Sequence, residues 1–210
     1  MKKIVILANG NFPNSKTALA VLKESDIIIC CDGSADKLLK FGMNPDFIAG
    51  DMDSISLSTK NRFESVTYHS DCQETNDLTK AFRLAKTLCP SEIHILGATG
   101  AREDHTLGNI SLLLNYAKES IVPIDMITDH GKFIAIYDST TISCKKGMII
   151  SIFSFDNTLK IKSAGLLYPT DNVIFDTLWK ATLNEATDDT AFSLELSHPS
   201  GVLLFLSNSR

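Results

Sequence analysis

The first 130 residues repeat one pattern: short unbroken apolar runs separated by segments with helical spacing. The runs are residues 4–7, 27–31, 47–49, 66–69, 93–96 and 124–127. Runs that do not alternate with polar residues suit strands covered on both faces. Helical segments fall between them, at 15–24, 35–41, 76–88 and 104–118. Ala18, Leu19 and Leu22 share one face of the first, and Leu78, Ala81, Phe82 and Ala85 one face of the third. Leu107, Ile110, Leu113 and Leu114 do the same in the fourth. Asn14 or Ser15 caps the first helix, Gly42 stops the second, and Thr75 or Asn76 caps the third. This βαβα order predicts a mainly parallel sheet with helices on both faces.

After about residue 130 the pattern changes. Residues 132–137, 140–144, 149–155, 159–163, 192–197 and 202–206 read as short strands, separated by turn signals such as Lys146-Gly147 and Asp156-Asn157. Phe192, Leu194 and Leu196 alternate onto one face. The second part therefore reads as a small antiparallel β-sandwich. The expected fold class is α/β, with an α/β domain over 1–130 and a β-sandwich domain over 131–210.

Composition narrows the function classes. The apolar fraction of 44% and charged fraction of 21% are ordinary for a globular chain. A formal net charge of -5 argues against a general nucleic-acid binder, which needs a basic face. The five cysteines are odd in number and form no CxxC pair, which fits free thiols in a reducing cytosol. The apolar stretch after Lys2-Lys3 is cut short by Asn9, Gly10 and Pro13, too soon for a secretory signal. No run approaches the roughly 20 apolar residues that span a bilayer. The expectation is a cytoplasmic protein with no membrane partner.

Polar, acidic and glycine-punctuated loops follow the expected strands, where open α/β sheets bind ligands. Asp32-Gly33-Ser34-Ala35 opens a helix, whose free amides suit an anion, and Gly33 allows close backbone approach. The plain alternative is an Asp or Ser cap. In Gly50-Asp51-Met52-Asp53-Ser54, extended backbone would point Asp51 and Asp53 the same way, so that they share one hard cation such as magnesium. In the segment 71–80, Asp77 is either a first-turn helix residue or a third magnesium ligand, and Lys80 lies one turn further on, within reach of a phosphate. In Gly97 through His105, two glycines open the backbone and Arg102 can grip phosphate bidentately. Asp104 caps the helix, contacts the substrate, or does both. His105 is a neighbour of the site, and Asn109 lies one turn further along the same face. The loop is neither a Walker A sequence nor a GxGxxG fingerprint.

Taken together, Asp32-Gly33-Ser34-Ala35, Gly50 through Ser54, Thr75 through Leu78 with Lys80, and Gly97 through His105 resemble the thiamine pyrophosphokinase family in order and spacing. Gly165-Leu166-Leu167-Tyr168-Pro169 resembles that family's C-terminal motif, so the resemblance spans nearly the whole chain. It implies transfer of diphosphate from ATP to the hydroxyl of thiamine, giving AMP, by a homodimer with sites between subunits. It implies magnesium on Asp51, Asp53 and Asp77. Asp32, Gly33, Ser54, Gln73, Lys80, Gly97, Gly100 and Arg102 would bind ATP. Asp77, Lys80, Arg102 and Asp104 would serve the reacting centre, and Asp104, Tyr168 and Asn184 the thiamine. Either Asp77 or Asp104 would handle the hydroxyl proton. The chain departs from the family pattern at Leu183-Asn184, where Ser-Asn is common, and at Thr75-Asn76-Asp77, where Thr-Asp is usual. Trp179, in the divergent stretch after Tyr168, has no assigned role. The competing readings are a related diphosphotransferase or nucleotide hydrolase, a non-catalytic nucleotide sensor, and an α/β protein whose acidic loops are only caps.

Overall fold

The computed structural model describes residues 2–70, 72 and 74–207. They form two compact units, Met1–Asp129 and His130–Arg210.

The first unit is built on six parallel strands: β1 (Lys2–Leu7), β2 (Ile27–Cys31), β3 (Phe47–Gly50), β4 (Thr67–His69), β5 (Pro90–Leu96) and β6 (Ile124–Ile127). Their order is β6-β5-β1-β2-β3-β4. The chain runs outward from β1 through β2, β3 and β4, then returns to the other side of β1 as β5. The order therefore reverses between β1 and β5, the kind of switch point where α/β sheets open a crevice. The helices are α1 (Lys16–Lys23), α2 (Ser34–Lys40), α3 (Leu57–Arg62), α4 (Asp77–Thr87) and α5 (Glu103–Glu119).

Unbroken apolar runs became strands because both faces are covered. Every residue of β2 is buried. Val5, Leu7, Ile28, Cys30, Ile48, Leu96 and Ile127 pack with Ala18 and Leu22 of α1 and Ala35 and Leu38 of α2. Alternation sends Ile4, Ile6, Ile29, Ile93 and Ile95 to the opposite face. There α4 packs against the sheet, and Phe82 of α4 stacks on Tyr116 of α5 with ring centroids 4.3 Å apart. Ser15 caps α1 and Asn76 caps α4 through their side chains.

The short helix α3 lay outside the sequence expectation. Thr59 is its one buried residue, so it carries no apolar periodicity. Its start is fixed by polar bonds instead. The Asp36 carboxylate accepts from the Ser56 amide and hydroxyl and from the Thr59 hydroxyl.

The second unit holds two antiparallel sheets. One has the order β11-β9-β13-β7, from β7 (Lys132–Ile136), β9 (Ile149–Ser154), β11 (Ala181–Glu185) and β13 (Val202–Ser207). The other has the order β10-β12-β8, from β8 (Thr140–Ser143), β10 (Ile161–Ala164) and β12 (Ala191–Leu196). One apolar core takes Ile150, Ile152, Val202 and Leu204 from the first sheet and Ile161, Phe192 and Leu194 from the second. Strand β11 was not anticipated, because Ala181-Thr182-Leu183-Asn184-Glu185 does not alternate cleanly. Its register shifts between Ala181 and Asn184, and Leu183 sits there with a φ of 58°. Such a bulge breaks the two-residue period that sequence patterns rely on. Among the described residues, no helix is long and apolar enough to cross a membrane.

Leu22 is fully buried between α1 and the sheet. Leu22→Ala should cost about 2–5 kcal/mol. Denaturant unfolding should show a lower midpoint with an unchanged slope.

Candidate active site

A cleft of about 480 Å³ opens where β1, β2, β3 and β5 end and α4 begins. It is lined by residues from each of the loops at these points, including Asn9, Asp32, Asp53, Asp77, Arg102 and His105.

Its floor is backbone laid against backbone. The loop after β1 is zipped to the loop after β5 by Gly10 N donating to Gly97 O at 2.7 Å and Asn11 N donating to Thr99 O at 2.9 Å. A Cβ on Gly10 would stand 2.5 Å from the carbonyl oxygens of both Gly97 and Thr99. Gly97 has a φ of 64°, and a Cβ there would stand 2.8 Å from Ala8 O. The ammonium of Lys37 donates to Asn9 O at 2.9 Å and Gly10 O at 2.7 Å, pinning the first loop from α2. The sequence reading treated Asn9-Gly10 as a turn and missed its place in the site. The available signal was an Asn-Gly pair directly after the first strand.

Asp32 is almost fully buried at the end of β2. It does not cap α2: Gly33 stands at the cap position and makes no side-chain bond there. Ser34 does not cap either, since its hydroxyl donates to Leu7 O at 2.7 Å. The Asp32 Oδ2 atom accepts from Ser54 N at 2.9 Å. Its Oδ1 atom is buried with no hydrogen-bond partner among the described residues. Burial pushes this carboxyl up to about 6, against the Ser54 amide, with Asp53 and Asp77 adding in the same direction.

Asp51 and Asp53 do come together, but not through extended backbone. Met52 between them has a φ of 66°, and Asp53 N donates to Asp51 Oδ1 at 3.4 Å. The turn gathers one carboxylate oxygen from each of Asp32, Asp51 and Asp53 to within 4.8 Å of one another. The Ser54 hydroxyl donates to Asp53 Oδ1 at 2.7 Å and holds the exposed Asp53 carboxyl below its usual range. Three carboxylate oxygens this close together, one of them from a buried residue, suit a hard divalent cation. The three-oxygen group contains Asp32 in the place expected for Asp77.

Asp77 lies beside that group, in the first turn of α4. It packs over Gly50, where a Cβ would stand 3.1 Å from both Asp77 Cγ and Asp32 Cβ. Its Oδ1 atom accepts from the Lys80 ammonium at 3.0 Å, and Lys80 is itself buried. Gln73 lies outside the described residues.

Across the cleft, Gly100 has a φ of 91° and sits against the Asn11 amide. Arg102 donates to Asp104 twice, from Nε to Oδ1 at 3.1 Å and from Nη2 to Oδ2 at 2.5 Å. Asp104 also accepts from His105 N, and these bonds, Arg102's first, hold its carboxyl down to about 2. Asp104 is therefore not the cap of α5. Arg102 occupies that position, without a side-chain bond to the helix. The expected residues Asp32, Asp51, Asp53, Ser54, Asp77, Arg102 and His105 all line this cleft. Asn9, Asn76, Thr99 and Asn109 line it as well.

In the second unit, the Tyr168 side chain is 60% exposed, whereas Asn184 is buried. The Asn184 amide is committed to backbone. Its Oδ1 atom accepts from Tyr168 N at 3.0 Å and Glu185 N at 2.9 Å, and its Nδ2 atom donates to Tyr168 O at 2.7 Å. Trp179 is exposed, and its carbonyl accepts from Thr182.

Parallel strands that deliver four carboxylates and one arginine to a single cleft define an α/β protein with an acidic ligand site at its switch point. Residues 18–124 match the family description "Thiamin pyrophosphokinase, catalytic domain", and residues 131–204 match "Thiamin pyrophosphokinase, substrate-binding domain". The chain belongs to the thiamine pyrophosphokinase family. It is 34% identical over 126 residues to thiamine pyrophosphokinase of Bacillus subtilis, a stretch covering 58% of each protein. It is 27% identical over 143 residues to thiamine pyrophosphokinase 1 of Oryza sativa subsp. japonica, covering 56% of this chain and 53% of that protein. The matched stretches thus span little more than half the length of these curated relatives. The fold is shared with two crystal structures. Thiamine pyrophosphokinase from Bacillus subtilis has a TM-score of 0.78 at 24% identity, covering 99% of both chains. Thiamin pyrophosphokinase from Candida albicans has a TM-score of 0.79 at 20% identity, covering 98% of this chain and 89% of that one.

Asn184→Ala removes all three bonds and leaves the Tyr168 backbone groups unmatched. It should cost about 1–3 kcal/mol. Thermal melting of the full chain checks this, and an unchanged melt would mean that the amide does not hold the Tyr168 segment.

Proposed function

We propose that this protein transfers diphosphate from ATP to the hydroxyl of thiamine, giving thiamine diphosphate and AMP. The observation that carries the reading is the cluster of Asp32, Asp51 and Asp53 carboxylates, with one buried Asp32 oxygen lacking a hydrogen-bond partner among the described residues, in a cleft that also holds Arg102. Asp51 and Asp53 would hold magnesium with the free Asp32 oxygen, and Asp77 is the next carboxylate along. Magnesium, when bound, neutralises charge on the phosphate oxygens.

The chain's own residues align the reactants. Gly33, Gly97 and Gly100 would let the ATP phosphates approach the backbone, and Ser54 and Gln73 would serve as further ATP contacts. Arg102 is exposed and, among the described residues, pairs with its near neighbour Asp104. It can exchange that carboxylate for a phosphate of the same bidentate geometry. Lys80 contributes its charge from beneath Asp77. Diphosphate transfer of this kind depends on alignment and charge neutralisation more than on covalent help. The thiamine hydroxyl attacks the β-phosphorus in line, AMP leaves, and Asp77 or Asp104 takes the hydroxyl proton.

Tyr168 would lie against the thiamine rings, with Asn184 acting through the Tyr168 backbone. The unit 1–130 would carry ATP and magnesium, and 131–210 thiamine and dimerisation. Leu167, Tyr168, Ile174, Leu178, Trp179 and Leu183 are all exposed within one short stretch, which supports a homodimer interface there. The net charge of -5 and the free thiols fit a cytoplasmic protein that acts on small molecules rather than nucleic acid.

Purified protein given ATP, magnesium and thiamine should produce AMP and thiamine diphosphate together, and only with magnesium present. Asp51→Asn should lower the rate by about two orders of magnitude or more, the scale of losing a charge-stabilising group. ADP with thiamine monophosphate would place the attack at the γ-phosphorus and overturn the proposal.

A further inference from the structure

The two halves of the cleft hang on different elements. Asp77 and Lys80 belong to the first turn of α4. Arg102 ends the loop that follows β5. Besides the sheet on which both rest, a chain of side-chain amides joins them.

Asn76 uses both ends of its amide. Its Oδ1 atom caps α4, accepting from Thr79 N at 3.0 Å and from the Thr79 hydroxyl at 2.8 Å. Its Nδ2 atom donates to Asn109 Oδ1 at 3.3 Å. Asn109 does the same on the other side, its Nδ2 atom donating to Ala98 O at 2.9 Å. One asparagine of α5 thus holds the start of α4 with its oxygen and the loop after β5 with its nitrogen. A second tie lies deeper. The Thr79 hydroxyl is 2.6 Å from the Tyr116 hydroxyl, and Tyr116 is buried against Phe82. Since Thr79 already donates to Asn76, Tyr116 is the donor in that bond. Asn109 and Tyr116 are seven residues apart, two turns on one face of α5. The helix therefore clasps the first turn of α4 at two points.

We propose that Asn109 is a positioning residue, acting through Asn76, that sets the carboxylate side of the cleft against the arginine side. This deepens the diphosphate-transfer reading and rests on it. A side-chain amide offers an acceptor and a donor in one rigid plane. Serine at position 76 would still cap the helix but is too short to reach Asn109. Capping and linking can therefore be separated by mutation. The link acts on geometry, and misplacing reacting groups by about 1 Å can cost about a hundredfold in rate.

The test compares Asn76→Ser, Asn109→Ala and the double variant in the full chain. Each single variant should lower kcat about ten- to a hundredfold, with KM for thiamine unchanged and a higher magnesium concentration needed for half-maximal rate. The double variant should be no slower than Asn109→Ala alone, because both changes cut one chain of bonds. Unchanged kcat in Asn76→Ser, or losses that multiply in the double variant, would overturn the link. Magnesium-ATP binding by calorimetry is the second readout. It should weaken about tenfold in each single variant and no further in the double. If the wild-type protein binds magnesium-ATP but leaves thiamine untouched, the substrate reading fails while the calorimetric comparison still decides the link.

Discussion

A buried carboxylate governs this molecule. Asp32 stands at the end of a strand whose every residue is buried, with one oxygen held by a backbone amide and the other without a hydrogen-bond partner among the described residues. Leaving a buried polar group without a partner is costly, so such groups persist where something outside the chain completes them. The surroundings of Asp32 are arranged around that cost. Gly50 is bare because a Cβ would press against Asp32 and Asp77 together. Gly33 is bare because a Cβ would meet Asn9 and Ser54. The left-handed turn at Met52 brings Asp51 and Asp53 to the open side. Like charges that converge on a buried group raise its proton affinity, and a divalent cation reverses that sign.

The same economy of space explains the other side of the cleft. Strands β1 and β5 are neighbours, yet they are separated in sequence by three other strands. Their loops can lie backbone against backbone only where side chains are missing, which places glycine at positions 10 and 97. The reversal of strand order creates the crevice, and the glycines make it shallow enough at its floor for a ligand to touch main chain.

Much of this was legible in the sequence because burial on both faces leaves unbroken apolar runs. The runs in β1, β2 and β5 are of that kind, and the carboxylates and glycines directly after them marked the site. What escaped was set by polar bonds or by broken periods. Helix α3 owes its start to Asp36, twenty positions before Ser56, a link that no local pattern carries. Strand β11 bulges at Leu183, so its alternation fails where a pattern would be sought. Asp51 and Asp53 were paired for the wrong reason: spacing suggested an extended segment, and a left-handed Met52 does the work instead. The family resemblance implies a thiamine contact for Asn184. The fold spends that amide on the backbone of Tyr168. A sequence shows that an asparagine can donate and accept, but not which partner claims it.

The two ion pairs of the cleft differ in a way that separates scaffold from moving part. Lys80 and Asp77 form a pair in which the ammonium is buried, so breaking it would strand a charge away from water. Arg102 and Asp104 form a pair exposed on both sides, where an exchange of partners costs little because water screens the intermediate. The cleft is lined by Arg102, whereas Lys80 sits buried behind Asp77. The fixed pair rides on α4, whose first turn is tied to α5 by Asn76 and Thr79. The movable pair opens α5 itself, on residues that carry no capping duty. The sequence left Asp104 as a cap, a substrate contact or both; in the structure Arg102 stands at the cap position, and the Asp104 carboxylate accepts from His105 N and from the Arg102 guanidinium.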